Sequence, residues 1–159
     1  MDGFISYAHD DHAVFGRLRT HLRSTEQKFG LSLWHDKGIK AGQHWNKEIE
    51  EAIARASVFI LLVSPAFLAS GYIYGTEIPA IKRQLRACKG KAISVLLRDC
   101  AWDFAVGATQ AVPTLDGQAR PIEDWKPHNK GYNTARSQID EAIAHHFGLQ
   151  PRKPRWPRT

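Results

Sequence analysis

An unbroken apolar run, Val58–Val63, constrains the fold of this chain more than any other feature of its sequence. All six of its residues are hydrophobic, and several are β-branched. A strand that is apolar throughout is typical of a parallel sheet covered on both faces. The run is far shorter than the roughly 20 apolar residues that cross a bilayer. It therefore predicts a central sheet strand, and no membrane span is expected.

Short apolar strands alternate with amphipathic helical segments along the rest of the chain. Further strands are expected at 4–7, 31–34 and 92–97. Between and after them, apolar residues recur at helical spacing, in the sets Val14/Leu18/Leu22, Trp45/Ile49/Ala52/Ile53/Ala56, Ile78/Ile81/Leu85/Cys88 and Ile139/Ala142/Ile143/Phe147. This order of elements predicts βαβ units, and hence an α/β fold with a mainly parallel sheet and helices on both faces.

Local signals mark where some of these elements begin and end. Asp10 or Asp11 is expected to cap the first helix, because a carboxylate accepts hydrogen bonds from the free N–H groups of the first turn. Gly30 is expected to end that helix. Residues 98–133 are irregular and rich in proline, glycine and tryptophan, with one short strand expected near 121–122.

Length and charge limit the class of protein. A chain of 159 residues suits one compact domain. The net charge is +6, and four of the positive charges lie in the tail 151–158, so the body carries +2. Such a tail is typical of a solvated linker, and an electrostatic arm for nucleic acid is the alternative. We expect a domain over 1–149, followed by a basic linker or the truncated start of a further domain over 150–159.

The cysteines and the first residues indicate the cellular compartment. Cys88 and Cys100 form no close-spaced pair, so neither a zinc pattern nor a disulfide framework is visible. The sequence at residues 1–4 lacks the charged and apolar regions of a signal peptide. We therefore expect a cytoplasmic protein.

Candidate site residues follow the predicted strands, since ligands of open parallel sheets bind at the carboxyl ends of the strands. Glu77 is the most informative of them, because it comes just after Tyr72 and Tyr74 at the mouth of a helix. A partly desolvated carboxylate there can stabilise a developing cation or act as an acid or base. The alternative is an ordinary first-turn residue that interacts well with the helix dipole. No glycine-rich phosphate loop is present.

Other patterns carry less chemistry. His9 and His12 lie three residues apart, but no further ligand cluster has matching spacing, so no metal site is expected. Ser64 precedes a proline and lies in no nucleophile elbow. Trp34 and Trp45 fit either a core position or a ligand platform.

The chain resembles a bacterial TIR (Toll/interleukin-1 receptor) domain over about residues 3–148. Four stretches carry the resemblance, in family order and at family spacing: 4–11, 33–45, 59–77 and 96–102. They are similar to the family's first box, its BB-loop segment, its third strand with the helix that bears a glutamate, and its fourth strand. The resemblance implies a flavodoxin-like three-layer sandwich with about five strands.

The resemblance also implies an activity. Catalytic TIR domains cleave the nicotinamide–ribose bond of NAD+, giving nicotinamide and ADP-ribose or a cyclic variant, with NAD+ as substrate and no cofactor. Glu77 occupies the position of the family's catalytic glutamate. The implied substrate-binding residues are Ser6, Tyr7, Ala8, Asp36, Trp45 and Tyr74, and Lys37 or Lys40 is a weaker candidate for the pyrophosphate. Residues 103–125 match poorly and receive no role.

Family behaviour implies partners as well. We expect self-association through TIR–TIR contacts, activation by oligomerisation, a C-terminal sensor domain or partner protein, and an antiphage effector role, with nucleic acid involved only indirectly. Here Ile73 and Tyr74 stand where many catalytic relatives have Trp-Cys, and Ala41 stands in place of the BB-loop proline. A non-catalytic TIR scaffold therefore remains an alternative. A response-regulator-like domain is disfavoured, because the third strand ends without a phosphoacceptor aspartate.

Overall fold

Five parallel strands form the centre of the molecule. The computed structural model describes residues 1–36 and 45–153. The strands are β1 (Asp2–Ser6), β2 (Ser32–His35), β3 (Val58–Val63), β4 (Lys91–Leu96) and β5 (Gln110–Val112). They lie in the order β2-β1-β3-β4-β5, and every neighbouring pair is parallel. The order is that of flavodoxin-like domains, which confirms the predicted fold class.

Helices cover both faces of the sheet and produce a three-layer sandwich. They are α1 (His12–Phe29), α2 (Trp45–Arg55), α3 (Pro65–Ala69), α4 (Ile78–Cys88), α5 (Trp102–Val106) and α6 (His128–Phe147). Helices α1 and α6 pack on one face, and α2, α3 and α4 pack on the other. A separate antiparallel hairpin joins β6 (Thr114–Leu115) to β7 (Gln118–Ala119).

Strand β3 has the central position that its composition predicts, because all six of its residues are buried. Its side chains alternate between two apolar clusters. Val58, Ile60 and Leu62 pack against α1 and α6, whereas Phe59, Leu61 and Val63 pack toward α2 and α4. Burying each such side chain stabilises the fold by about 1.5–3 kcal/mol, so β3 anchors both layers.

Helix α1 ends as expected but begins differently. Gly30 adopts the left-handed conformation, with φ of 61°, and ends the helix. The capping role expected for Asp10 or Asp11 is wrong for Asp11, whose side chain makes no capping hydrogen bond. Its Oδ2 instead accepts a short hydrogen bond from the hydroxyl of Ser64, at the end of β3. The carboxylate of Asp11 therefore binds Ser64, which is distant in sequence, in place of the N–H groups of the first helical turn.

The strand expected near 121–122 is also wrong. Ile122–Asp124 form a 3₁₀ turn, which Trp125 closes by donating its N–H to Ile122 O at 3.1 Å. Pro121 has no N–H to give to a strand ladder, and Ile122 turns inward, where it is 2% exposed. The fifth strand of the sheet is β5, at Gln110–Val112.

The described part of the tail lies against the end of α1. Arg152 donates its backbone N–H to Lys28 O at 2.9 Å. Helix α1 connects two parallel strands and therefore runs antiparallel to them, so its last turn lies at the amino edge of the sheet. The tail therefore starts at the edge opposite the carboxyl ends of the strands.

Candidate functional site

The strand order reverses between β1 and β3, and this reversal defines the candidate site. The chain moves from β1 to β2 on one side and then crosses to β3 on the other. In open parallel sheets such a switch point opens a crevice at the carboxyl ends of the strands, and ligands bind there. The segments 7–11 and 64–77 leave the sheet at this edge.

Glu77 is buried at this edge and contacts the end of β1. It is the last residue of a π-helical turn, Ile73–Glu77, which runs directly into α4. Its side chain accepts a hydrogen bond at Oε2 from Ser6 Oγ, at 2.5 Å. Glu77 is 6% exposed and Ser6 is 1% exposed. The glutamate is therefore no ordinary surface residue of a first helical turn.

The surroundings of Glu77 disfavour its charged form. Burial and, to a smaller extent, the nearby Asp36 carboxylate raise the pKa of its carboxyl to about 7, although the Ser6 hydrogen bond acts in the opposite direction. Among the ion pairs between described residues, none involves Glu77. A carboxylate with a perturbed pKa at a switch point is a typical functional-site candidate.

The π-helical turn decides which tyrosine accompanies Glu77. Burial and the negative charges of Glu77, Asp36 and Glu50 raise the pKa of the Tyr72 phenol, so this side chain lies in the electrostatic field of the carboxylates. Tyr74 is 38% exposed, and its electrostatic neighbour is the Cys100 thiol. A π turn adds a residue relative to an α-helical turn, and such turns are frequent at functional sites.

A second pair of side chains joins the two segments that leave the sheet. Asp11 accepts a hydrogen bond from Ser64 Oγ, and Ser64 Oγ accepts one from the backbone N–H of Phe67 at 3.0 Å. Ser64 thereby caps α3 while it binds Asp11. The side chain of Asp11 is fully buried, and Arg98 Nη1 lies 4.0 Å from its Oδ1. Segment 64–77 is thus held at its start by Asp11 and at its end by Ser6.

The loop after β1 also contacts the end of β2. Tyr7 donates its hydroxyl to the backbone oxygen of Asp36 at 3.2 Å and stacks on Phe15 with ring centroids 4.1 Å apart. Burial, with a smaller effect of Asp36, raises the pKa of the Tyr7 phenol. Ala8 is 7% exposed, and its carbonyl accepts from the backbone N–H of Asp11 at 2.9 Å. These contacts fix the wall of the crevice on the β2 side.

The structure brings together several of the residues that the sequence predicts for the site. Ser6 and Glu77 touch, Asp36 lies in the electrostatic field of Glu77, and Tyr7 and Ala8 line the same edge. Tyr74 lies toward Cys100. Trp45 is the first residue of α2, but its side chain and residues 37–44, including Lys37 and Lys40, lie outside the described residues.

Sequence reasoning placed no site role on Tyr72, Asp11 or Ser64. For Tyr72 the signal was available, because the sequence has two tyrosines close to Glu77. Choosing between them requires the helical register, which the π turn changes. For Asp11 and Ser64 no local pattern exists, because the two residues are 53 positions apart.

The histidines near the first helix show no metal-site geometry. His9 and His12 are exposed, with ring centroids 6.4 Å apart. Within the described ranges, no group of three or more histidine, cysteine, aspartate or glutamate side chains has an arrangement that could hold a metal ion. In the same ranges no helix has the length and apolar character needed to cross a bilayer.

The strand order and the two helical layers define a flavodoxin-like α/β domain, and the comparisons specify it further. Residues 4–127 match the sequence profile described as the TIR domain. The chain belongs to the TIR domain family. It is 30% identical over 140 residues to y4lF, an uncharacterized protein of Sinorhizobium fredii (strain NBRC 101917 / NGR234). The match covers 87% of this chain but 42% of y4lF, so the chain spans less than half of that relative.

Solved structures show the same fold at low sequence identity. The RPS4 and RRS1 TIR domain heterodimer has a TM-score of 0.58 at 15% identity, covering 94% of this chain and 100% of the other. The TIR domain of the Toll-related receptor TRR-2 from Hydra magnipapillata has a TM-score of 0.50 at 17% identity, covering 89% of this chain and 97% of the other. The TIR domains of the activated Roq1 resistosome score 0.50 at 15% identity, covering 88% and 83%.

Proposed function

We propose that this chain cleaves the nicotinamide–ribose bond of NAD+ and releases nicotinamide together with ADP-ribose or a cyclic variant. The observation that supports this most directly is the buried Glu77 carboxylate, which faces Ser6 at the β1/β3 switch point. The family membership of the chain adds support, because TIR domains include NAD+-cleaving enzymes. Glu77 is the proposed catalytic residue.

The proposed reaction needs negative charge beside a sugar. As the C1′–N bond breaks, its electron pair leaves with the nicotinamide, which becomes neutral, and the ribose becomes an oxocarbenium ion. Water adds to C1′ and loses a proton, which gives ADP-ribose; an internal nucleophile gives a cyclic product instead. A preorganised carboxylate beside the developing cation supplies the electrostatic stabilisation that dominates many enzymic rate enhancements.

The remaining roles follow from positions around Glu77. The ends of β1 and β2 would line the nucleotide cleft through Tyr7, Ala8 and Asp36, and Ser6 would contribute there through its hydrogen bond to Glu77. Asp36 adds negative charge beside Glu77, as expected for a site that receives a cationic ring. Tyr72 offers an aromatic face beside the carboxylates, a role that the sequence resemblance gave to Tyr74. Trp45 remains a proposed contact at the start of α2.

Self-association is the second part of the proposal. One similar structure is the RPS4 and RRS1 TIR domain heterodimer, and another contains the TIR domains of the activated Roq1 resistosome, so TIR domains of those proteins occur in assemblies. We expect copies of this chain to associate as well and to be more active when brought together. The competing function, a scaffold without catalysis, predicts assembly with no turnover.

A direct assay separates the enzyme from the scaffold. The chain, free and fused to an oligomerising domain, is incubated with NAD+, and nicotinamide is quantified by chromatography. We expect release that is greater for the fused form, with none from fused Glu77→Gln. Glu51→Gln is the matched control, because Glu51 is exposed on α2. The absence of nicotinamide from the fused wild-type chain at every concentration contradicts the proposal.

The proposed biological role is that of an antiphage effector, with activation by a sensor domain or partner protein. Loss of NAD+ would stop the metabolism of an infected cell and so prevent the phage from replicating in it. Expression of the oligomerised chain in a bacterial host should lower the cellular NAD+ pool and stop growth, whereas the Glu77→Gln form should do neither. Growth arrest by both forms would mean that NAD+ loss is not the cause.

A further inference from the structure

The hydrogen bond between Ser6 and Glu77 joins two backbone segments that cannot easily move apart. Ser6 is the last residue of β1 and lies in register with Leu61 of β3. Glu77 ends the π-helical turn, where the N–H of Ile78 donates to Ile73 O before α4 continues. The distance of 2.5 Å between Ser6 Oγ and Glu77 Oε2 is therefore set by the sheet on one side and by the helix on the other.

The hydroxyl of Ser6 has no proton left for a ligand. A serine hydroxyl carries one donor hydrogen, and that of Ser6 is donated to Glu77. Ser6 is 1% exposed, so almost none of its surface is open to a ligand. The position fits a residue that acts on the carboxylate better than one that contacts substrate.

Burial and one neighbouring carboxylate oppose the negative charge of Glu77. Asp36, after β2, is a carboxylate that raises the pKa of Glu77. Burial and the charges of Glu77 and of Glu50 on α2 raise the pKa of the Tyr72 phenol, which lies just before the π-helical turn. Within 1–36 and 45–153, no lysine, arginine or histidine forms an ion pair with Glu77. Among the described residues, the Ser6 hydroxyl favours the charged form of Glu77.

We propose that Ser6 is a positioning residue: by donating its proton to Oε2, it keeps the Glu77 carboxylate ionised and correctly oriented. Among the hydrogen bonds between described residues, Glu77 accepts only through Oε2. Oε1 is then the oxygen that accepts a hydrogen bond from a ribose hydroxyl. The choice of substrate rests on the proposed function, whereas the coupling between Ser6 and Glu77 is a property of the free protein.

The titration of Glu77 tests the coupling without any need for activity. The full chain, with ¹³C-labelled glutamate carboxyl groups, is titrated by NMR as wild type, Ser6→Ala and Ser6→Cys. Loss of a hydrogen bond to a charged group should move the Glu77 midpoint upward by about one pH unit in Ser6→Ala. The weaker thiol donor of Ser6→Cys should give an intermediate midpoint. Ser94→Ala is the matched control, because Ser94 is a buried strand serine whose 2.5 Å hydrogen bond is to Thr109.

Kinetics on the oligomerised chain then separate positioning from substrate contact. For Ser6→Ala we expect about a tenfold lower kcat and an unchanged KM. The acidic side of its pH–rate profile should move to higher pH by the same amount as the NMR midpoint of Glu77. An unchanged Glu77 titration overturns the inference, and a raised KM together with that result makes Ser6 a substrate contact. If the wild type releases no nicotinamide, the proposed function fails, and the titration still decides the role of Ser6.

Discussion

Two buried carboxylates, Glu77 and Asp140, have opposite surroundings. Asp140, on α6, is 9% exposed and accepts from Lys28 Nζ at 2.6 Å, Arg136 Nη1 at 2.7 Å and Thr25 Oγ1 at 2.6 Å. Glu77 is similarly buried but accepts one hydroxyl and lies near a second carboxylate. The first arrangement neutralises its charge with two cations, whereas no cation within residues 1–36 and 45–153 forms an ion pair with Glu77.

The difference separates a structural carboxylate from one available for chemistry. Asp140 joins α6 to α1, because its carboxylate accepts hydrogen bonds from Thr25 and Lys28 of α1. Glu77 is held in an environment that opposes its charged form, which a protein tolerates where a ligand supplies the compensating charge. A cationic ribose in the transition state would meet that requirement. Each of the following experiments alters one side of this comparison.

The largest effect is expected on turnover. Glu77→Gln in the oligomerised chain should lower nicotinamide release at least about 100-fold, because it removes the charge aimed at the developing cation. Asp140→Asn should change turnover less than about threefold at a temperature where it is fully folded. Initial rates with circular dichroism on the same samples provide the measurement. Comparable losses of turnover in Glu77→Gln and Asp140→Asn would contradict the assignment of a catalytic role to Glu77 and a structural role to Asp140.

The next effect is a gain in stability at the candidate site. Burial raises the pKa of Glu77 to about 7 in the folded protein, against an ordinary value of 4.5 for a solvated glutamate. Between these pH values the folded state binds more protons than the unfolded state, so the free energy of unfolding falls as pH rises. Glu77→Gln removes this penalty, so the variant should be more stable than wild type by up to about 3 kcal/mol at pH 8.

Urea unfolding at several pH values tests this gain. The advantage of Glu77→Gln should shrink as the pH falls below 7 and vanish below about 4.5, where the wild-type carboxyl is protonated in both the folded and the unfolded state. Glu51→Gln, at an exposed position on α2, is the control for a lost charge. A stability difference that stays constant from pH 5 to pH 8 would show that burial does not oppose the charge of Glu77.

A loss of stability is expected at the other carboxylate. Asp140→Asn leaves two cations without a charged partner, and Lys28 and Arg136 have side chains 36% and 17% exposed. A fully buried pair broken in this way costs about 3–5 kcal/mol, so about 2 kcal/mol is expected here. Glu123→Gln, at a surface ion pair with Arg98 of 4.0 Å, should change stability by less than about 0.5 kcal/mol. Equal effects on unfolding in urea would contradict the structural role of Asp140.

The smallest effect distinguishes the two tyrosines. Tyr72→Phe should lower kcat/KM about fivefold, because its phenol lies among the carboxylates. Tyr74→Phe should stay within about twofold of wild type, since that phenol lies toward Cys100. The two rates are measured at equal oligomer concentration. A larger loss in Tyr74→Phe would assign the site role to Tyr74 after all.

Periodicity and composition predicted the parts of the fold that are set locally. The apolar run Val58–Val63 predicted a buried central strand, and Gly30 predicted the end of α1; both are confirmed. An apolar run indicates a strand buried on both faces, and a glycine permits the left-handed conformation that ends a helix. Both signals lie within a few consecutive residues and can therefore be identified from the sequence. The order of strands and helices predicted the three-layer fold for the same reason.

The parts that the sequence could not predict depend on distant partners or on a change of register. Asp11 looked like a helix cap, but Ser64 binds its carboxylate from 53 positions away. The sequence has two tyrosines close to Glu77, and the resemblance gave the binding role to Tyr74. The structure places Tyr72 in the electrostatic field of Glu77, through a π-helical turn that the sequence does not reveal. The burial of Glu77 itself depends on β1, which precedes it by 71 positions at Ser6.

The contact between Arg152 and the end of α1 sets the direction in which the polypeptide leaves the domain. The tail starts at the amino edge of the sheet, whereas the candidate site lies at the opposite edge, at the carboxyl ends of the strands. A fusion partner attached after residue 153 can therefore hold several copies together while the carboxyl edge of each sheet stays accessible to a ligand.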